Sequence, residues 1–444
     1  MHRILAGLRG SRRPSASAPR RGLAAIVIVA ACTVLAPTAA RAQPAAAGDP
    51  EADALDLANR AAAVESRAGD WHSFIETAVT GTRPRGRRTV DGARLSVDLR
   101  YDGSPAPGWR LVFADRLDVI RQQQPYDDVQ VNTLKELYVG WQPQPQTTVE
   151  LGRINLRGGV ALGYNPTDFF KTDALRSITS IDPARLRENR LGTVMLRGQR
   201  LWEGGSLGAL FAPRLTDAPS NADFSPDWGA TNRGARWLVT ASHPLGGDFS
   251  PRWLLHGGDD VATQLGVEAT RLVGNATVAF VELSAGRTPA LRARIDGSAD
   301  DKRLRSRLAA GFTHTPAANL SVTIEYDYNG AALDRQGLQE LARQPGGRFA
   351  RYLGLAAAQQ DLASRQGLFV HLNWQNAFVR RLDLAAMQRI DLERSSRLSW
   401  AEARYRFDRF DVALQWQRAS GAPDSVFGAL PTQRAVQALA RIFF

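Results

Sequence analysis

Arginine side chains recur on one face of several short stretches of the sequence. A guanidinium stays charged at any working pH and presents a fork of N–H donors that matches a carboxylate or a phosphate. Along a water-filled space such residues would favour anions. In the alternative interpretation, they pair with acidic residues on the same faces and simply hold a wall together. The arginines are Arg94, Arg100, Arg110, Arg116, Arg303, Arg305, Arg307, Arg404 and Arg406, and the acids are Asp98, Asp118, Glu136, Glu325, Asp327 and Glu402.

Other residue types give little sign of catalysis or of a cofactor. The six histidines have no metal-ligand spacing, and the single cysteine, Cys32, excludes a disulfide scaffold and a cysteine-built zinc or iron–sulfur site. No Walker or dinucleotide-binding glycine pattern stands between a strand and a helix, and no nucleophile motif accompanies His243, His314 or His371. We therefore predict no metal and no cofactor. An enzyme of the lipase or lipid-modifying type stays open as the second candidate.

The net charge of +12 would suit a nucleic-acid partner, but its distribution argues against one. Residues 1–42 hold seven arginines and no acid, and the remaining chain has 49 basic against 44 acidic residues. The excess therefore belongs mainly to the leader, and we expect no nucleic-acid binding.

The leader has the organisation of an export signal. An arginine-rich start precedes the apolar run Leu23–Ala36, and Ala40-Arg41-Ala42 predicts cleavage before Gln43. A lipoprotein signal ending at Cys32 is the alternative. Residues 43–70 form an acidic, alanine-rich segment with helical spacing, which would lie in the periplasm or plug the structure that follows.

The elements that position the arginines are strands. Apolar and polar residues alternate, as in Leu95, Val97 and Leu99 against Arg94 and Asp98, so each strand has one apolar and one polar face. No segment after the leader has the apolar length of a transmembrane helix. Strands of this kind are expected at 71–80, 93–101, 109–120, 131–141, 147–156, 191–201, 206–213, 234–243, 251–257, 261–271, 276–286, 303–314, 320–329, 366–376, 379–390, 397–407, 410–418 and 433–444.

Alternation does not reveal whether the apolar faces meet a core or lipid, but the connectors do. Short turns alternate with mostly long loops, which is typical of an outer-membrane barrel. Residues 71–444 therefore predict an all-β, antiparallel, up-and-down transmembrane barrel of about 18 strands, with 16 to 18 in range. Aromatic residues beside the short turns suit a girdle at the membrane interface: Trp109, Trp141, Trp202, Trp374, Phe378, Phe407 and Phe410.

The end of the sequence carries a resemblance. Val436, Ala438, Ala440, Ile442 and Phe444 fall on one face, and the last residue is aromatic. The sequence here resembles Gram-negative outer-membrane β-barrel proteins, whose final strand commonly ends in Phe. The resemblance implies the outer membrane and its lipids as location, and a role for Phe444 in recognition by the barrel assembly machinery, with periplasmic chaperones as further partners.

A second stretch, Leu151-Gly152-Arg153 through Gly158-Gly159 to Asn165-Pro166-Thr167-Asp168, is similar to a motif of large porin-like and alginate-export-like barrels. This resemblance implies a conduit and names no solute. General porins are often homotrimers, but no residue of the sequence marks a subunit interface. A plugged transporter would need a far longer segment before the barrel, and a propeller would show repeats.

The connector 157–190 is long enough to have a function of its own. Folded inward, it would narrow the pore; folded outward, it would cap the barrel. The connector 330–365 has helical spacing broken at Pro345-Gly346-Gly347 and predicts a helical hairpin. We expect a channel for diffusion or export of small hydrophilic solutes, anions or saccharides among them. The candidate constriction residues are Arg157, Asp168, Lys171, Asp173, Arg176, Arg185 and Arg187.

Overall fold

The computed structural model describes residues 70–123, 127–246, 249–259, 261–298 and 302–444. The predicted export signal at 1–42, Cys32 and all but the last residue of the segment 43–70 lie outside the described residues. Eighteen antiparallel strands follow one another around a single sheet, and β1 also pairs with β18, from Phe74 opposite Phe443 to Pro84 opposite Thr432. The sheet is therefore a closed up-and-down barrel, which confirms the predicted fold class and strand number.

Each predicted strand is present, and its ends lie within a few residues of the predicted ones; seven strands are longer than predicted and six are shorter. The strands are β1 (Trp71–Pro84), β2 (Val90–Ala106), β3 (Trp109–Gln122), β4 (Val129–Gln144), β5 (Thr147–Ile154), β6 (Thr193–Trp202), β7 (Gly205–Ala212), β8 (Arg236–Ser242), β9 (Arg252–Gly258), β10 (Gln264–Val273), β11 (Thr277–Thr288), β12 (Arg303–Ala317), β13 (Leu320–Asn329), β14 (Gln366–Trp374), β15 (Leu382–Asp391), β16 (Ser396–Arg406), β17 (Phe410–Ser420) and β18 (Thr432–Phe443).

The loops at one rim carry helices. The third loop (155–192) contains α1 (Pro183–Glu188), the fourth (213–235) α2 (Trp228–Thr231), the sixth (289–302) α3 (Leu291–Ile295), and the seventh (330–365) α4 (Arg335–Arg343) and α5 (Arg348–Ala358). None of these helices is long and apolar enough to cross a membrane.

The alternating faces point in the direction that lipid requires. In β2, Leu95 and Val97 are 45% and 39% exposed, whereas Ser96 and Asp98 between them are 0% and 4% exposed. A water-soluble sheet would bury the apolar set instead, because that is where the hydrophobic effect stabilises it. The barrel therefore has an apolar outer surface and a polar inner one, which is the arrangement of a membrane-spanning barrel.

The short-turn rim carries the aromatic residues that the sequence predicted there. Trp109 and Trp141 are opposite one another on β3 and β4, with ring centroids 6.1 Å apart and about half of each side chain exposed. Phe407 stacks on Phe410 at 4.2 Å across the turn from β16 to β17. Amphipathic and aromatic rings in such a belt suit the interface between hydrocarbon and headgroups.

The seventh loop forms the predicted helical hairpin. Leu338 and Leu341 of α4 and Tyr352 of α5 are fully buried against one another. The break between the helices uses Gly346 and Gly347 at φ +81° and +69°, a left-handed conformation that glycine adopts without the penalty of a Cβ.

A charge placed on the outer surface tests the orientation of the strands. Leu414 in the middle of β17 is 56% exposed on the outside, and Gln417 of the same strand faces the lumen. Leu414→Arg should lower the free energy of unfolding from lipid vesicles by about 2–4 kcal/mol, because the cation meets hydrocarbon. Gln417→Arg, the matched control, should change it by less than half as much. Equal effects in reversible denaturant titrations would contradict the assigned faces.

Candidate functional site: the lumen and its third loop

The inner wall carries both signs of charge in direct contact. Glu76 of β1 is 2% exposed and accepts from Arg94 of β2 at 2.6 Å and from Arg441 of β18 at 2.7 Å. Arg116 of β3 lies 3.0 Å from Asp118 and 3.4 Å from Asp98. These ion pairs tie neighbouring strands together and neutralise much of the arginine charge locally.

A bulge in β4 adds a further pair of charges to this wall. The register shifts between Ala114 and Asp115 of β3, so that Lys135 and Glu136 both turn inward although they are consecutive. Lys135 Nζ lies 2.7 Å from Asp98 Oδ2, and Glu136 Oε2 accepts from Arg100 at 2.6 Å. Without the bulge, one of the two charges would face lipid.

The predicted pore-lining arginines all lie on inward faces, and most have an acidic partner. The remaining placements are Arg110 with Asp102 at 2.7 Å, Arg307 with Asp361 at 3.2 Å, Arg404 with Glu402 at 2.9 Å and Asp411 at 2.5 Å, Arg406 with Asp383, Arg305 with the Thr288 carbonyl, and Arg303 at the long-loop end of β12. Anion selectivity of this wall stays a prediction.

The third loop enters the barrel and reaches the opposite wall. Glu325 of β13 is completely buried, and its carboxylate accepts three backbone N–H groups of the loop: those of Leu162 at 3.0 Å, Gly163 at 3.1 Å and Tyr164 at 2.6 Å. Charged hydrogen bonds of this kind are stronger than neutral ones. Glu325 is therefore a principal anchor of the loop.

Glu282 of β11 is the second anchor. It accepts from the N–H of Val160 at 3.1 Å and from the Thr167 hydroxyl at 2.6 Å. Two glycines permit this close approach. A Cβ at Gly159, whose φ is +94°, would stand 2.0 Å from Glu282 Oε1, and one at Gly163 would stand 2.4 Å from the Phe369 ring.

The seventh loop supports the third from the long-loop side. The Tyr164 hydroxyl donates to Asp361 at 2.5 Å, and Arg190 donates to Gln360 at 2.7 Å. Arg190 also pairs with Asp168 at 2.5 Å and so joins the two halves of the third loop. The two loops therefore form one packed unit inside the mouth of the barrel.

The predicted constriction residues have distinct placements within this unit. Most of them hold the loop rather than face open water, and Arg157 and Asp173 are the exposed ones. Lys171 Nζ donates to the Asn165 carbonyl at 2.6 Å, Asp173 N donates to the Ala358 carbonyl at 2.9 Å, Arg176 donates to the Ala222 carbonyl at 2.8 Å, Arg185 pairs with Glu402 at 3.2 Å, and Arg187 donates to the Ala161 carbonyl at 2.5 Å.

Arg157 and Glu188, on the two arms of the loop, are exposed residues whose side chains make no hydrogen bond or ion pair with the described residues. Desolvation inside the barrel would by itself raise the pKa of Glu188, but Lys135, Arg157, Arg441 and Arg185 lower it below its usual range. Glu188 is thus an anion in a positive surrounding, which the sequence analysis did not single out.

Histidines do not assemble a catalytic group in the described part of the chain. His256 is buried, with Nδ1 2.8 Å from the Trp237 carbonyl and its ring stacked on Phe169 at 4.5 Å. His314 Nδ1 lies 2.9 Å from the Thr277 hydroxyl, and no third group orients its imidazole among the residues described. Phe444, the predicted assembly signal, closes the final strand, with its N–H on the Ser73 carbonyl at 2.9 Å.

A closed sheet, an apolar exterior, an aromatic rim and a charged lumen with an inward loop occur together in this molecule. The described residues therefore form a closed β-barrel of the membrane-spanning type. No protein-family model matches the barrel's sequence, and no curated protein matches it either.

Solved structures of three Pseudomonas aeruginosa proteins resemble the barrel in fold. Pseudomonas aeruginosa OccK5 (OpdH) is 10% identical, with 84% of this chain and 98% of that chain covered and a TM-score of 0.49. OpdQ of the same organism is 11% identical over 85% and 99% of the two chains, with a TM-score of 0.48. The P. aeruginosa outer membrane protein OpdK is 9% identical over 84% and 99%, with a TM-score of 0.49.

Removal of the Glu325 carboxylate tests the anchor. Glu325→Ala should release the segment 160–164, because each buried N–H left without an acceptor costs about 1–3 kcal/mol. Hydrogen exchange of that segment should accelerate, while the strands stay protected. Thr323→Val changes the same inner face of β13 where it meets Thr313 at 2.8 Å, away from the loop, and serves as control. Unchanged exchange in Glu325→Ala would show that the loop is held elsewhere.

Proposed function

We propose that the protein is a passive outer-membrane channel for small hydrophilic solutes. The observation that carries this proposal is the polar lumen, in which Arg157 and Glu188 of the third loop are exposed although they lie inside the barrel wall. A spanning barrel of this size has room for an aqueous passage beside an inward loop. The orientation is that of other such barrels, with short turns in the periplasm and long loops outside the cell.

The third loop acts in this proposal as the constriction. Its anchors, Glu282 and Glu325, belong to the wall formed by β11 and β13, whereas α1 reaches Glu402 of β16 through Arg185. The loop thus divides the lumen, and solutes pass along the charged wall of β1 to β6. Solutes of this passage are anions or neutral saccharides.

Anion preference rests on the exposed cations rather than on the whole set of inward arginines. Arg94, Arg116 and Arg404 are neutralised by Glu76, Asp118 and Glu402 at contact distance. Arg157 has no such partner among the described residues. It therefore contributes a net charge to the passage that the paired arginines do not.

The remaining parts of the chain take the roles that the sequence predicts. Residues 1–42 direct export and are removed, residues 43–70 form a periplasmic segment, and residues 71–444 form the barrel. Phe444 and the final strand are the signal for the barrel assembly machinery, after delivery by periplasmic chaperones. The chain works without a cofactor or metal and is not an enzyme, and a homotrimer is its proposed assembly.

Deletion within the third loop tests the constriction. Replacement of residues 168–186 by a short glycine–serine linker should enlarge the single-channel conductance in planar bilayers, because the loop then no longer fills part of the lumen. Removal of residues 216–220 of the fourth loop, of which residues 216–219 are exposed, should leave the conductance unchanged. Conductance steps of wild-type size in the first variant would contradict the constriction by the third loop. The absence of any conductance steps in the intact protein would contradict the proposed channel.

Two substitutions, one of an arginine without an ion pair and one of a paired arginine, test the ion selectivity. In a KCl gradient, Arg157→Gln should move the reversal potential toward cation preference, because an uncompensated cation is lost. Arg100→Gln should move it less, since Arg100 shares Glu136 and Asp102 at 2.6 and 2.9 Å and Asp102 keeps Arg110. A larger shift in Arg100→Gln would show that pairing does not decide which arginines act on permeating ions.

A further inference from the structure

The barrel wall has a place where a strand lacks a neighbour. β4 extends over Val129–Gln144, but only Leu137 to Gln144 pair with β5. β5 ends at Ile154, where the chain departs into the third loop, and β6 begins opposite that residue at Thr193. On its β5 side, the segment 129–136 of β4 is therefore an edge within an otherwise continuous sheet.

Groups from outside the sheet satisfy this edge. The Asn132 N–H donates to the Asp223 carbonyl of the fourth loop at 2.7 Å. The Lys135 carbonyl accepts from Gly192 N at 2.9 Å, and the Leu134 carbonyl accepts from Arg153 Nη1 at 3.3 Å. Irregular backbone at this depth is stable in a membrane only where protein covers it. The fourth loop is thus a removable part of the wall, because no strand ladder holds it.

The outer side of this cover is apolar. Phe224 and Trp228 of the fourth loop are 64% and 36% exposed. Hydrogen bonds of side chains, rather than a strand ladder, hold the loop: Arg176 donates to the Ala222 carbonyl at 2.8 Å, the Thr231 hydroxyl donates to the Gly192 carbonyl at 3.0 Å, and the Asn232 side chain bonds both backbone groups of Val194 at 2.8 and 2.9 Å. Its displacement would break these bonds and leave the ladders of β4 and β6 intact.

Beneath the cover lies an arginine without an acidic partner. Arg153 pairs in register with Leu137, an outward residue that is 45% exposed, yet Arg153 itself is 1% exposed. Its guanidinium lies 4.3 Å from the Trp228 ring centroid, and Nε and Nη2 have no hydrogen-bond partner. No carboxylate of the described residues forms an ion pair with it, and Asp227, the acid whose charge acts on it, pairs with Arg176 at 3.9 Å. A buried cation with two free donors is unfavourable, and an acid that reached it would restore the missing bonds.

The inner face of the same wall carries an apolar cluster beside its charged residues. Val112, Tyr138, Ile154, Met195, Leu210 and Leu238 form one buried cluster across β3 to β8. Phe170 of the third loop packs on it. The window at the end of β5 therefore has apolar side chains on both sides, with Lys135 and Glu136 beside them on the lumen side, and the buried Arg153 beneath its cover.

We propose that the fourth loop is a lateral gate, and that Arg153 binds the acidic headgroup of a single-chain amphiphile that moves between the lumen and the membrane leaflet on the long-loop side. The Arg153 fork offers two donors to a carboxylate or sulfonate. The alkyl chain lies along the apolar surfaces beside it, where its burial is favourable. This route is separate from the aqueous passage of the proposed channel and does not require Arg157 or Glu188.

A disulfide that locks the gate tests the route, since residues 43–444 contain no cysteine. Asn132→Cys with Asp223→Cys joins two residues whose backbone N and O atoms are 2.7 Å apart, which keeps their Cα atoms within about 6.5 Å, a separation that a disulfide can bridge. The matched control, Leu95→Cys with Val119→Cys, joins opposite residues of β2 and β3 on the outer surface. The probe is dodecane sulfonate below its micelle concentration, and ethane sulfonate is the short-chain comparison.

In planar bilayers, dodecane sulfonate should block the current of the native barrel and of the oxidised control. It should not block the oxidised gate variant, and reduction should restore the block. Arg153→Met should weaken the block about tenfold or more, because charged hydrogen bonds to the headgroup are lost. Ethane sulfonate should act equally on all variants. An equal dodecane sulfonate block with the gate locked would overturn the lateral route, and an unchanged block in Arg153→Met would overturn the headgroup site.

Binding measurements separate a failure of this proposal from a failure of the channel. Radiolabelled dodecane sulfonate should bind to the reconstituted native barrel, and less of it should bind to Arg153→Met and to the oxidised gate variant. If the barrel conducts no ions but binds the probe in this pattern, the channel is wrong and the gate stands. If it conducts ions but binds no probe, the gate is wrong and the channel stands.

Discussion

The structure depends on the requirement that each backbone N–H and C=O within hydrocarbon has a partner. A sheet meets it only by closing on itself, since an open edge would leave a row of unpaired groups in lipid. β1 and β18 achieve this closure along their length. The same requirement explains the contacts around β4, where Asp223 and Gly192 complete an edge that the short β5 leaves open.

Closure also determines where the charges lie. Because the outer face must be mainly apolar, most ionisable residues of the strands lie on the inner one, where they would repel or lack solvation unless both signs alternate. Glu76 between Arg94 and Arg441 is the clearest case. Buried pairs of this kind bring little net stability, but each partner prevents the other from being an isolated charge. Most charges in the lumen consequently form ion pairs that hold the strands together, and only a charge without a partner selects among permeating ions.

The sequence predicts the parts of this molecule that follow from local rules. A period of two depends on nearest neighbours alone, so the eighteen strands and the helical hairpin of 330–365 could be recognised without the fold. The bulge in β4 also has a signal in the local sequence, since Lys135 and Glu136 are adjacent charges in a strand that otherwise alternates. No local sequence signal shows where the third loop goes. Its anchors, Glu282 and Glu325, are more than a hundred residues away, and only Gly159 and Gly163 hint that its backbone must approach something closely.

The path of the third loop constrains the order of assembly. The loop is anchored by the hydrogen bond between Tyr164 and Glu325, which are 161 residues apart in sequence. The barrel closes only when β18, the last strand, pairs with β1. Contacts between such distant segments form late and slowly, because a long chain must first be ordered. The third loop therefore has no fixed position until β13 has formed, and it enters the lumen most easily before β1 pairs with β18. We infer that the sheet of this barrel closes around a loop of the same chain.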